Sequence, residues 1–182
     1  MNKIAVISFD GVEDTELFTA IDIFFRAGII VDIYNVSDSN HTVTRSKLKF
    51  LSDKNISNLN SNEYDLLYLP GGPGVNEIMN NKLLDEKVND FFRNNKLIAA
   101  ICAAPMILAK NGILKDTSFI SHPSVIEYCE SKGGRYFGDS KDIAFQSNII
   151  TSRNFTTTYK FSMFIVEKLL GSDFKTKLEE GF

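Results

Sequence analysis

Leu97-Ile98-Ala99-Ala100-Ile101-Cys102-Ala103-Ala104-Pro105 is the stretch that decides the fold. An uncharged apolar run ends at one thiol, and a helical pattern (Met106, Ile107, Leu108, Ala109) opens directly behind it. Pro105 fits the first helical turn, where a missing N–H costs nothing. The reading is a buried parallel strand, a sharp turn and a helix. Cys102 then sits at the carboxyl end of a strand, where open α/β sheets place their ligands. A helix N-terminus at that point favours the thiolate, and the small Ala103 and Ala104 let helix and strand approach closely, as in nucleophile elbows. A thiol beside an apolar strand also suits plain burial as a small core hydrophobe.

Outward from this stretch the chain alternates strands and helices. Lys3 to Phe9 reads as the first strand, turning at Asp10-Gly11 into a helix over Glu13–Ala27 that Gly28 closes. The apolar positions of that helix, Leu17, Phe18, Ala20, Ile21, Ile23, Phe24 and Phe25, cover more than one face. Both faces are buried internally, or one meets another subunit, which would spare a monomer a large sticky patch. Ile29–Val36 is a second strand, and 42–51 a short hairpin or edge pair. The Asn- and Ser-rich stretch over 53–62 is a connector, and Tyr64–Leu69 is a buried strand ending in Pro70-Gly71-Gly72-Pro73-Gly74. A glycine cluster there exposes backbone N–H groups to a ligand, or makes an ordinary strand-to-helix turn.

Helices follow over 75–79 and 82–94. Beyond Cys102 come a strand at 118–121 stopped by His122-Pro123, a helix over 125–132 carrying Cys129, a hairpin about Ser147-Asn148, and a last long helix over 158–170. This order implies an α/β fold, a three-layer sandwich with a mainly parallel sheet, formed by residues 1–182 as a single domain.

The 182 residues are enough to bury roughly 70% of the unfolded chain's surface without disulfides. Twenty basic against 23 acidic residues, net charge -3, with no long run of either sign, call for neither nucleic acid nor an anionic membrane. No apolar stretch approaches the roughly 18 residues of a spanning helix, and no signal segment opens the chain, so a cytoplasmic location is expected. There Cys102 and Cys129 stay reduced, and with only His41 and His122 they do not suggest a metal site.

A nucleophilic cysteine needs a proton carrier, and donors for the oxyanion formed on addition to a carbonyl. The N–H groups of Gly72 and Ala103, both at strand carboxyl ends, are the candidate donors. His122 and the acids Glu13, Asp14 and Glu16 are candidate carriers, and the residues alone do not choose among them. Carboxylates also gather in a first helical turn simply to oppose the dipole. His41 reads as solvated, and Cys129 as a semi-buried or surface bystander.

Ala99-Ala100-Ile101-Cys102-Ala103-Ala104-Pro105, Leu69-Pro70-Gly71-Gly72, Gly11-Val12-Glu13-Asp14-Thr15-Glu16, Arg26-Ala27-Gly28, His122-Pro123 and Thr151-Ser152-Arg153, in this order and spacing, resemble the ThiJ/PfpI superfamily. The likeness runs along nearly the whole chain and is to the Parkinsonism-associated deglycase (DJ-one) branch. The resemblance implies a flavodoxin-like sandwich of the class I glutamine amidotransferase-like type, a homodimer, and no cofactor or metal. It further implies Cys102 as nucleophile, Glu16 as its protonated carboxyl partner, His122 as the neighbouring imidazole, and Gly72 and Ala103 as oxyanion donors. Arg26 and Arg45 resemble arginines near the pocket and the dimer interface.

The implied activity is a cysteine-dependent glyoxalase or protein deglycase acting on methylglyoxal-type dicarbonyls or glycated protein. A redox sensor or oxidation-activated chaperone using the same cysteine is the alternative. A cysteine peptidase or amidase is disfavoured, because Ala103 stands where those relatives carry histidine. Asn154-Phe155-Thr156 departs from the Gly-Pro-Gly usual after Ser-Arg, and the loop after Gly72 is shorter, which puts the pocket rim in question.

Overall fold

A computed structural model describes residues 1–181. Seven strands form the main sheet: β1 (Lys3–Ser8), β2 (Ile30–Asn35), β5 (Lys54–Asn55), β6 (Leu66–Leu69), β7 (Leu97–Ile101), β10 (Ile143–Gln146) and β11 (Ile149–Ser152). Their order is β10-β11-β7-β6-β1-β2-β5, parallel throughout except for the β10–β11 hairpin. β1, β6 and β7 are buried almost end to end, so they read as unbroken apolar runs rather than alternating ones. Two further ribbons lie apart from the sheet: β3 (His41–Val43) with β4 (Lys49–Leu51), and β8 (Ser118–Phe119) with β9 (Arg135–Tyr136).

Helices flank the sheet. α1 (Ala20–Arg26) packs on α6 (Thr158–Leu170), and α6 on α7 (Ser172–Glu179). α3 (Lys82–Arg93) lies on β6 and β7 and is tied to the end of α4 (Pro105–Lys110) through Asp85, Asn89, Lys110 and Asn111. α2 (Val75–Ile78) and α5 (Ile126–Ser131) are short. The architecture is the flavodoxin-like α/β sandwich expected from the sequence. The chain leaves β1 towards β2 and returns on β1's other side as β6, so a switch point lies between β1 and β6, with the loops after β1, β6 and β7 meeting at its carboxyl edge.

Several elements depart from the sequence expectations. The stretch expected as a connector over 53–62 contains β5 and two 3₁₀ turns. β9 and α7 were not foreseen; one is two residues long and the other has no buried residue to mark an apolar stripe. The first helix opens with a π-helical turn, Thr15–Thr19, before α1 begins. Cys129, expected at or near the surface, is 0% exposed within the core cluster.

Candidate active site

Cys102 follows β7 with φ at +64°, in the left-handed region that costs a non-glycine residue energy. The backbone is pinned on both sides. Cys102 N–H donates to the Ser152 carbonyl of β11 at 3.1 Å, and its carbonyl accepts the His122 N–H at 2.8 Å. This kinked turn swings the side chain out of the strand towards the loop after β6, where the N–H groups of Gly72 and Ala103 lie near enough to favour the charged form of the sulfur. The two backbone donors named from the sequence do converge.

Glu16 reaches the same point from the π turn. It is 0% exposed, and its Oε2 accepts the Gly71 N–H at 2.8 Å. Gly71 has no room for anything larger, since a Cβ there would stand 2.5 Å from the Cys102 Cβ and 2.8 Å from Glu16 Oε2. Gly72 is equally confined at φ +117°, with a Cβ falling 2.6 Å from the Glu13 nitrogen. Carboxyl and thiol stand near enough for each to shift the other's acidity.

Burial, joined by the Glu16 carboxyl, pushes the Cys102 thiol up to about 12, against the pull of the Ala103 and Gly72 N–H groups. Burial likewise pushes Glu16 up to about 7, against the hydrogen bonds from Cys102 and Gly71. Burial thus works against the thiolate expected at a helix N-terminus. α4 is only six residues long, and removal from water outweighs it. Thiol and carboxyl titrate as a coupled pair, with the carboxyl the more acidic of the two.

A cleft of about 290 Å³ opens over the sulfur, lined among others by Glu13, Arg45, Gly72, Asn76, Cys102, Ala103 and His122. Arg45 stands at its mouth, 60% exposed, with Nη1 2.6 Å from Glu13 Oε2. His122 lines the cleft, but its side-chain bonds run to Ser124 rather than to the thiol. Nδ1 accepts the Ser124 N–H at 3.2 Å and lies 2.8 Å from Ser124 Oγ. An N–H aimed at Nδ1 makes that nitrogen the acceptor in this contact.

The chain belongs to the DJ-1/PfpI family. The family model matches residues 2–168. The chain is 33% identical over 186 residues to protein dj-1beta of Drosophila melanogaster, covering all of this chain and 97% of that one. It is 26% identical over 161 residues to the glutathione-independent glyoxalase DJR-1.2 of Caenorhabditis elegans, covering 88% and 84% of the two. The crystal structure of Drosophila melanogaster DJ-1beta superposes with a TM-score of 0.91 at 31% identity, covering 100% of this chain and 97% of that chain.

Of the other sequence candidates, Asp14 accepts from Ser46 N and Oγ on the β3–β4 ribbon and so ties down the segment bearing Arg45, outside the cleft lining. Arg26 lies at the far end of α1, paired with Asp22 at 2.8 Å and exposed, so this chain's fold does not bring it to its own pocket. Asn154 caps a 3₁₀ turn through its side chain and, with Phe155 and Thr156, stays out of the cleft lining, so the altered stretch does not form the rim within one chain. Sequence reasoning missed Ser124 and Asn76, whose neighbours in sequence give no sign of the cleft they share.

Proposed function

We propose that this chain is a cofactor-independent glyoxalase or deglycase acting on methylglyoxal-type dicarbonyls, free or as early adducts on protein, with Cys102 as nucleophile. The observation that carries the reading is the buried Glu16 carboxyl beside a sulfur that also faces two backbone N–H groups. Sγ adds to the aldehyde carbon as its proton passes to the Glu16 carboxylate. The new C–O⁻, held by the Gly72 and Ala103 N–H groups, takes that proton and becomes the hydroxyl of a hemithioacetal. Glu16, again ionised, removes the C–H proton to give an enediolate and returns it to the neighbouring carbon, while the hydroxyl proton moves to the second oxygen. The product is a thioester of a 2-hydroxy acid on Cys102. Water cleaves it, freeing the acid and restoring the thiol, so dicarbonyl plus water gives hydroxy acid with no oxidant. In this reading His122 and Arg45, both in the cleft lining, donate to the substrate's second oxygen. Kinship to a glutathione-independent glyoxalase supports the substrate class.

Purified Cys102→Ala should consume no methylglyoxal above the uncatalysed rate; consumption at the parent rate would sink the mechanism. The same backbone donors suit the oxygens of a cysteine sulfinate, which favours sensing as a second reading. In that case mild peroxide adds two oxygens to one cysteine, read by intact mass, while turnover is negligible. We propose further that the working unit is a homodimer. Phe25 is 77% exposed, and Phe18, Ile21, Ile30 and Val31 line an apolar groove of about 650 Å³ beside it.

A further inference from the structure

The helix that delivers Glu16 is irregular where it delivers it. Regular α-helix turns by roughly 100° per residue, and a turn bonded i→i+5 carries one residue more, so one carbonyl loses its usual amide partner. Glu16 lies in such a turn, and its carbonyl accepts the Tyr68 hydroxyl at 2.8 Å in a fully buried contact. Tyr68 belongs to β6, three residues before Gly71, whose N–H holds the Glu16 carboxyl. β6 and the loop that leaves it thus grip this residue at its carbonyl and at its carboxyl. The Tyr68 ring is wedged between Phe24 of α1 and Phe161 of α6, with centroids 5.6 and 6.0 Å away, so the hydroxyl is fixed in place.

We infer that Tyr68 is a positioning residue for Glu16: its hydroxyl satisfies a carbonyl of the π turn and keeps that turn from tightening into α register, which would swing the carboxyl away from Cys102. The inference rests on Cys102 and Glu16 being the reacting pair proposed above. Tyr68 is not in the cleft lining and its hydroxyl bonds to the Glu16 backbone, so its hydrogen bond acts through the geometry of Glu16.

The test is the pH dependence of Cys102 alkylation by iodoacetamide, beside methylglyoxal turnover, in the parent, Tyr68→Phe, Glu16→Gln and the double variant. Glu16→Gln removes the carboxyl that adds to burial in raising the thiol, so its titration moves to lower pH while turnover is lost. Tyr68→Phe should move the titration the same way and lower kcat/KM about tenfold. The double variant should titrate as Glu16→Gln does alone. Tyr34→Phe is the control, since it deletes another buried hydroxyl, bonded to Tyr64 at 2.7 Å, and should leave the titration where it is. A Tyr68→Phe titration matching the parent while Glu16→Gln moves would overturn the positioning role alone, as would an equal shift in Tyr34→Phe. A titration unmoved by Glu16→Gln would strike the reacting pair itself, and the positioning role with it.

Discussion

At the scale of single residues, Glu16 is where chemistry and stability meet. A carboxyl raised to about 7 in the folded chain, against an ordinary value of 4.5, binds a proton that the unfolded chain has already released. Stability from its neutral form is whole below about pH 4.5 and is lost as pH rises through about 7. Glu16→Gln carries no such titration. Between pH 4 and pH 8 the parent should lose on the order of 3 kcal/mol relative to the variant, read by urea unfolding at the two pH values. The same titration governs rate with the opposite sign. If the Glu16 carboxylate receives the thiol proton, kcat/KM for methylglyoxal climbs with pH to a plateau above about 7, and a flat profile in the parent would contradict this role.

Among elements, the β3–β4 ribbon decides where Arg45 stands. Gly11 N–H donates to Val43 C=O, Val43 N–H to Asp10 Oδ1, Arg45 N–H to Val12 C=O, and both Ser46 N–H and Oγ to Asp14. Burial pushes the Asp14 carboxyl up, but the Ser46 and Thr44 hydrogen bonds outweigh it and leave it below the usual carboxylate range. Asp14→Ala should free the ribbon tip, speeding amide exchange at Ser46 roughly tenfold, with KM for dicarbonyl rising more than kcat falls. How legible each element was in the sequence follows from its physics. β7 and its turn were plain, because a strand buried on both faces has no alternation to confuse and Pro105 marks the helix start. The π turn was invisible, because Leu17, Phe18, Ile21 and Phe24 satisfy an ordinary helical period, and only the Tyr68 hydroxyl, 52 residues away, reveals the extra residue. Gly72 and Ala103 were found because strand ends on a parallel sheet converge by topology. The burial of Glu16 was not, because it is a property of packing that no local motif carries.

For the molecule as a whole, the helix-rich face around α1 is the feature that composition foreshadowed. Seven apolar positions from Leu17 to Phe25 exceed what one core can take, and the structure divides them: Leu17, Ala20, Ile23 and Phe24 go inside, Ile21 is half-buried, and Phe18 and Phe25 stay out. Phe25→Glu should turn the dimer proposed above into monomers by sedimentation velocity at micromolar concentration. Because Phe25 lies on the groove and not in the cleft over Cys102, the folded monomer should keep its thermal midpoint within a few degrees. The contrast between a core-sealed Cys129 and a cleft-lining Cys102 also makes the chain its own chemical counter. A disulfide dye such as Ellman's reagent should register one sulfhydryl per polypeptide in the native state and a second only after denaturant is added. Any fluorophore, spin label or crosslinker with thiol selectivity would then report from a single known address, without a cysteine-free background having to be built.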